Sequence, residues 1–191
     1  MRKIILASRS KARQKLLKEV GLKFRVVKSD ARESRTLGSS PGELVVKNAL
    51  AKAEDVAGKL RSGVVIGADT VVLAGKKTVG KPKDIKDAIN MLKLLQKRPH
   101  FVYTGIAVVD IDKNRKFTAY EKTKVYMQRL SDMEIKNYFK KVSPLDKAGS
   151  FDIQGLGGLF IDRIEGCFYN VVGLPLAKLT KLLKKAGVDI F

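Results

Sequence analysis

Two short segments place polar side chains where phosphate chemistry needs them. Asp69 stands inside the apolar run VVIGADTVVL, and a carboxylate in such surroundings costs desolvation free energy unless it is paired or binds a metal. The segment LASRSKAR places Ser8 and Ser10 between a short apolar stretch and a helical pattern that carries Arg13 one turn in. The free N–H groups of a helix N-terminus favour a phosphate, although the two serines could serve only to cap the helix. We predict a functional Asp69 and leave both interpretations of the serines open.

Two further segments could contact a ligand. Lys81 lies between Gly80 and Pro82, which restrict the backbone around it, but this pattern alone is more typical of a surface turn. Lys147 and Gln154 belong to SPLDKAGSFDIQGLGG, a polar segment bounded by glycines. Loops of this kind carry ligand contacts in many proteins, and an ordinary connecting loop is the alternative interpretation.

Several familiar kinds of active site are excluded by what the sequence lacks. His100 is the single histidine, so a histidine-rich metal site cannot form, and we interpret this side chain as structural. The sequence contains no Walker A motif, and its Gly155, Gly157 and Gly158 do not form the fingerprint of a dinucleotide-binding strand and helix. Cys167 is more typical of a small core residue than of a nucleophile. Carboxylates, lysines and arginines remain, which are the residues of metal-assisted phosphoryl chemistry.

The composition predicts an ordinary globular protein with a strongly basic surface. The chain has 191 residues, 45% of them hydrophobic, and a formal net charge of +20. Such a charge favours polyanionic partners such as nucleic acid, lipid headgroups or free nucleotides, but lysine-rich surfaces are also common in heat-stable proteins. The basic residues are spread along the chain, which favours the second explanation. The single cysteine excludes an internal disulfide, and no apolar run reaches the roughly 20 residues that a membrane span needs.

Hydrophobic periodicity and capping residues predict strands and helices mixed along the whole chain. This pattern indicates a mixed α/β protein with a substantial sheet in one domain, residues 1–191. The predicted strands cover 3–7, 22–28, 64–73, 100–111, 116–128, the neighbourhood of Phe151, 159–164 and 167–172. The predicted helices begin at Ser8 or Ser10, Ser40, Asp84, Ser131 and Leu174-Pro175, and end near Val20, Gly63, Leu95, Val142 and Gly187. A polar loop is predicted for 29–39.

Seven motifs in this order resemble the Maf family of nucleoside-triphosphate pyrophosphatases. They are LASRSKARQKLL, NALAKA, GADTVV, GKP, VYTG, DKAGSFDIQGLGGLFIDRIEG and NVVGLPL, and they run from Leu6 to Leu176. The resemblance implies a central mixed sheet flanked by helices, with two lobes around a cleft, similar to the inosine-triphosphate pyrophosphatases. It implies cleavage between the α- and β-phosphates, which gives a nucleoside monophosphate and pyrophosphate. It also implies a divalent cation, Mg²⁺ or Mn²⁺, and a nucleoside triphosphate as the binding partner.

The resemblance assigns a role to each matching side chain. Asp69 is the implied general base and, with Glu33, a metal ligand, whereas Gln154 matches a glutamine of the subgroup that acts on dTTP and UTP. The other implied substrate-binding residues are Ser8, Arg13, Lys52, Lys81 and Lys147.

Two positions depart from the family pattern. The family usually has SPRR where this chain has Ser10-Lys11-Ala12-Arg13, so one arginine is missing, and a lysine does not replace the two-pronged contact of arginine with phosphate. The family often has a glutamate at the position of Ser143.

A binding protein is the competing class of function. The family is associated with inhibition of septum formation, so a cell-division or nucleic-acid-binding role that uses the basic surface is the alternative. A third option is hydrolysis of modified nucleotides. We expect a cytoplasmic protein without a membrane partner, and we expect nucleic acid not to be a partner. A homodimer is one of the oligomeric states that the sequence leaves open.

Overall fold

The computed structural model describes residues 2–34 and 40–190. The strands are β1 Ile4–Leu6, β2 Arg25–Val26, β3 Val64–Ala74, β4 Lys77–Val79, β5 His100–Asp110, β6 Arg115–Met127 and β7 Ile161–Glu165. The α-helices are α1 Lys11–Glu19, α2 Pro41–Ala57, α3 Ile85–Leu95, α4 Asp132–Lys141, α5 Phe168–Val172 and α6 Leu176–Lys185. Short 3₁₀ helices cover Ala148–Ser150 and Gly155–Phe160. Among the described helices, none combines the length and apolar character needed to cross a bilayer.

The strands form one seven-stranded mixed sheet. Its order is β2-β1-β3-β5-β6-β7, and β4 pairs with β3 outside this path. β1 runs parallel to both β2 and β3, whereas the pairs β3–β4 and β6–β7 are antiparallel. Parallel neighbours need a crossover connection, which α1 supplies between β1 and β2. The predicted fold class, a central mixed sheet with flanking helices, is therefore confirmed.

The chain divides into two compact units. The first comprises Met1–Asp69, Thr104–Glu121 and Gly173–Phe191, and the second comprises Thr70–Tyr103 and Lys122–Val172. Each of β3, β5 and β6 continues from one unit into the other. The single domain and its cleft stay predictions.

In the first unit, α2 lies directly against the backbone of the sheet. A Cβ atom added at Gly67 of β3 would lie 2.1 Å from the carbonyl oxygen of Ala49, and one added at Gly105 of β5 would lie 2.2 Å from that of Val45. Only glycine allows so close an approach. Alanine and valine side chains of α2, β3 and β5, with Ile5 of β1, fill the core around this contact. The position of α2 relative to the strands is therefore fixed by sterics.

In the second unit, helices α3 and α4 pack against the sheet around an aromatic core. Leu92, Ile135, Tyr138 and Phe151 belong to this cluster. His100 is fully buried beside it, and its Nδ1 lies 3.3 Å from the carbonyl oxygen of Leu95. Burial lowers the pKa of His100 to about 4, which agrees with a structural role.

The helix starts were predicted well from capping residues. Ser10, Ser40, Asp84 and Ser131 are the N-caps of α1 to α4. A full capping box forms at Ser131, where Glu134 bonds back to the cap.

Four predicted boundaries or elements were wrong. Only Arg25–Val26 of the predicted strand 22–28 pairs with the sheet, and α2 ends at Ala57, with Gly58 as its cap, before the predicted Gly63. The neighbourhood of Phe151 is a loop, and the predicted strand 167–172 is mostly the helix α5. The cause at α5 is tertiary: buried Asn170 donates from Nδ2 to the carbonyl oxygen of Val102 and to Thr123 Oγ1. Residues 29–34 of the predicted loop are irregular, and 35–39 lie outside the described residues.

Candidate active site

Asp69 lies in β3, in the first unit, and is buried. Lys52 Nζ lies 2.6 Å from one carboxylate oxygen, and Asn48 Nδ2 donates to the other at 2.9 Å. Both partners come from α2, where residues four apart share a face. The carboxylate is therefore paired, which offsets the desolvation cost of burying its charge, and α2 supplies both partners. That Asp69 is functional stays a prediction.

Glu33 approaches the same ammonium from the loop after β2. Its Oε1 lies 2.7 Å from Lys52 Nζ. The three side chains differ in exposure: 13% for Lys52, 8% for Asp69 and 56% for Glu33. One cation thus lies between a buried carboxylate and a half-exposed one, so the two implied metal ligands face a common point.

Asn48 joins these elements and was not singled out by sequence reasoning. Its Oδ1 accepts from the backbone N–H of Ser34 at 2.8 Å, and its Nδ2 donates to the carbonyl oxygen of Ser34 at 3.1 Å as well as to Asp69. The side chain is 4% exposed. The available signal was a polar residue four positions before Lys52 in NALAKA.

Arg13 is buried beside the end of β1. Its Nε donates to the carbonyl oxygen of Gly173 at 2.8 Å, and its Nη1 donates to that of Ala68 at 2.9 Å and to Ser8 Oγ at 3.2 Å. Burial lowers the pKa of Arg13, while the charges of Asp69 and Glu33 oppose that shift. An arginine stays protonated at neutral pH, so a fixed positive charge lies close to Asp69.

The two serines of the first motif have different contacts. Ser10 caps α1 by accepting from the backbone N–H of Arg13 at 3.4 Å. Ser8 Oγ accepts from Arg13 Nη1 and, at 3.3 Å, from the backbone N–H of Ser10. Capping therefore explains Ser10, whereas Ser8 lies against the arginine that is implied to bind phosphate.

The second unit brings the loops of Lys81 and Lys147 together. The backbone N–H of Gly149 donates to the carbonyl oxygen of Gly80 at 2.9 Å. Lys81 is exposed. Lys147 Nζ contacts Asp146 Oδ1 at 2.7 Å and the carbonyl oxygen of Ser143 at 3.1 Å.

Gln154 lies in the same unit, in a tightly constrained loop. Its backbone N–H donates to Asp152 Oδ1 at 2.9 Å, and the N–H of Asp152 donates to the buried hydroxyl of Tyr138 at 3.2 Å. Ser150 has a φ of 66°, a left-handed conformation that costs free energy in a residue with a Cβ atom. Such strain is characteristic of loops whose shape matters for function.

The arrangement in the first unit can bind a polyanion and a cation. Arg13 and Lys52 offer positive charge, and Glu33 and Asp69 offer the oxygen ligands that Mg²⁺ and Mn²⁺ prefer. Within residues 2–34 and 40–190, no three histidine, cysteine or acidic side chains are grouped for metal binding. Any metal there would therefore take further ligands from water or from phosphates.

Comparison with known families decides the relationship. The family described as Maf-like protein matches residues 3–186. The chain belongs to this Maf-like family.

Two relatives resemble this chain over nearly their full length. A dTTP/UTP pyrophosphatase of Methanosarcina barkeri is 46% identical over 192 residues, which cover 100% of this chain and 98% of the relative. A dTTP/UTP pyrophosphatase of Pelotomaculum thermopropionicum is 44% identical over 190 residues and 100% of both chains. Among solved structures, the Staphylococcus aureus Ham1 protein matches 66% of this chain and 72% of its own, with 18% identity and a TM-score of 0.46. That last similarity is too weak to decide the fold.

Proposed function

We propose that this Maf-like protein is a nucleoside-triphosphate pyrophosphatase that acts on dTTP and UTP. One observation supports the chemistry most: buried Asp69 is bound by Lys52 and Asn48, with Glu33 on the same ammonium. Full-length relatives that are 44–46% identical carry the name dTTP/UTP pyrophosphatase. The reaction adds water to the α-phosphorus, breaks its bond to the bridging oxygen, and releases the monophosphate and pyrophosphate.

We infer that a divalent cation, Mg²⁺ or Mn²⁺, takes part. The residues fit this group, because Glu33 and Asp69 already hold one positive charge between them, the Lys52 ammonium at 2.7 and 2.6 Å. The ion would take this place as Lys52 turns towards the phosphates. Oxygen ligands of this kind suit both ions. Glu33 and Asp69 would hold the ion, which would neutralise charge on the phosphates.

The protein's own side chains divide the remaining work. Asp69 orients the attacking water and accepts its proton. Arg13 and Lys52 bind the phosphates and offset the charge that grows on departing pyrophosphate. Ser8 adds a hydroxyl beside Arg13.

We assign substrate contacts to three side chains of the second unit on the strength of the family resemblance. Gln154 would contact the base through hydrogen bonds. Such bonds give selectivity, since a base that cannot form them leaves polar groups of the site unpaired. Lys81 and Lys147 would contribute positive charge. The tie between Gly80 and Gly149 supports a shared task for their two loops.

A phosphate-release screen tests the proposal. The protein is incubated with each common NTP and dNTP, with Mg²⁺ or Mn²⁺, and with or without added inorganic pyrophosphatase. We expect phosphate only when the second enzyme is present, with the highest rates for dTTP and UTP. If another base is preferred, the proposed reaction stands and the proposed role of Gln154 is rejected. No release from any nucleotide by a folded protein would contradict the proposal and favour modified nucleotides or a binding role.

A further inference from the structure

Asn48 is the one side chain on α2 whose amide bonds both to Asp69 and to the backbone of the Glu33 loop. Its amide oxygen accepts from the N–H of Ser34 at 2.8 Å, and its Nδ2 donates to the carbonyl oxygen of Ser34 at 3.1 Å and to Asp69 Oδ2 at 2.9 Å. An asparagine amide has two donor hydrogens and one acceptor oxygen, so both hydrogens and the oxygen are used. Buried polar groups that are fully satisfied in this way specify one arrangement.

We propose that Asn48 is a positioning residue that holds Asp69 and the Glu33 segment in register for catalysis. This inference rests on the proposed pyrophosphatase function. Ser34 directly follows Glu33, so the pair of bonds to its backbone fixes where the Glu33 side chain departs from the chain. The bond to Oδ2 fixes the rotation of the Asp69 carboxylate, whose other oxygen faces Lys52.

The rigidity of α2 makes this role effective. Gly67 and Gly105 allow the helix backbone to touch the strands, so Asn48 cannot drift relative to β3. Lys52, one turn further on, makes the corresponding charged contacts with Glu33 and Asp69. The two side chains hold the same two elements, one through neutral hydrogen bonds and one through charge.

A second anchor of the same loop provides a matched control. Asp55, also on α2, accepts from the backbone N–H of Asp30 at 2.8 Å and lies 3.1 Å from Lys59. Its bonds hold the loop at Asp30, away from the Asp69 carboxylate. Replacing Asp55 therefore loosens the loop and leaves the carboxylate alone.

The experiment compares Asn48→Ala, Asn48→Asp and Asp55→Ala with the wild type. Steady-state kcat and KM for dTTP are measured together with amide exchange in residues 30–34. Asn48→Asp keeps an acceptor for Ser34 N–H, but it cannot donate to Asp69 or to the carbonyl oxygen of Ser34 and it places a second carboxylate beside Asp69. We expect kcat to fall by about 10- to 100-fold in both Asn48 variants, since a hydrogen bond to a charged group is lost. We expect fast exchange at Ser34 only in Asn48→Ala.

Asp55→Ala should exchange faster at Asp30 and keep its kcat within about twofold, because it loses only an ordinary loop contact.

The outcomes separate the possible errors. An Asn48→Asp variant with wild-type kcat would reduce Asn48 to a loop anchor and overturn the inference. An equal loss of kcat in Asp55→Ala would do the same. A wild type that hydrolyses no nucleotide would overturn the proposed function and this inference with it. Slow exchange at the β3 amides of Val65 and Ile66 confirms that each variant is folded. If Asn48→Ala does not fold, the kcat of Asn48→Asp alone tests the inference.

Discussion

The implied site residues of the two units are held in different ways. In the first unit, Glu33 and Asp69 both contact Lys52, and Asp69 is buried. In the second unit, Lys147 contacts its own loop, and Lys81 is exposed. Low exposure strengthens electrostatic interactions and fixes geometry, whereas exposed lysines on loops can adapt to a ligand. We therefore expect the first group to govern the rate and the second to govern the choice of substrate.

Replacement of Asp69 should have the largest effect. Asp69→Asn keeps the size of the side chain but removes its charge and its ability to accept a proton. We expect kcat to fall by about 10³-fold or more, in line with the loss of a general base, while the protein stays folded. Phosphate release and thermal melting are the measurements, and Asp162→Asn, at an exposed position in β7, is the control. Near-normal turnover would remove Asp69 from the mechanism.

Replacement of Lys52 should affect both rate and stability. Lys52→Met leaves the buried carboxylate of Asp69 without its charged partner, so we expect about 3 kcal/mol of destabilisation and about 100-fold slower turnover. Added Mn²⁺ should restore part of the stability, because it can replace the missing cation between Glu33 and Asp69.

The control for this change is Lys59→Met. Lys59 also contacts two carboxylates, Asp30 and Asp55, but all three are more exposed, and exposed pairs contribute only about 1 kcal/mol or less. Melting with and without Mn²⁺ compares the two variants. Equal destabilisation in both would show that burial is not what distinguishes Lys52.

A charge-conserving change at Arg13 should have a smaller effect. Arg13→Lys keeps the positive charge but cannot bond at once to Gly173, Ala68 and Ser8, since lysine lacks the planar fork. We expect kcat/KM for dTTP to fall about 10-fold, the size of effect that a lost charged hydrogen bond gives. The matched change is Arg9→Lys, in the same motif but exposed. A similar loss in Arg9→Lys would assign the effect to the helix N-terminus and not to the buried arginine.

The smallest effect should come from the second unit and appear as selectivity. Gln154→Ala should lower the preference for dTTP and UTP over other nucleotides by about 10-fold, the scale of one hydrogen bond, with little change in melting temperature. Rates across the nucleotide panel measure this preference, and Gln128→Ala, at an exposed position after β6, is the control. A uniform loss for every nucleotide would place Gln154 among the rate-determining residues and weaken the contrast between the units.

Features that depend on local sequence were predicted well. The special surroundings of Asp69 could be expected because a charge inside an apolar strand must be paired or bind a metal, and its role stays a prediction. The N-caps of α1 to α4 could be identified because capping depends on neighbouring residues. The fold class followed from the alternation of patterns. The family resemblance supplied Glu33 and Lys52, which no local pattern singles out.

Features that depend on distant contacts were not predicted. The bonds of Asn48 join three separate stretches of chain. The motif NALAKA shows only that a polar residue stands four positions before Lys52, and not which groups it contacts. Likewise, α5 contains residues typical of strands, but the buried amide of Asn170 holds it as a helix between two strands. Tertiary contacts override local preference in such cases.

The close contact of α2 with β3 and β5 has a consequence for mutational surveys of this protein. Alanine at Gly67 or Gly105 would push the helix away from the sheet, because the added carbon would meet backbone atoms that cannot move aside. The shift would displace Asn48 and Lys52 although neither residue has been replaced. A survey that scores activity alone would then rank these two glycines with the residues proposed for catalysis. On the proposed division of roles, random variation would reach new specificities more readily through the loops of the second unit than through α2.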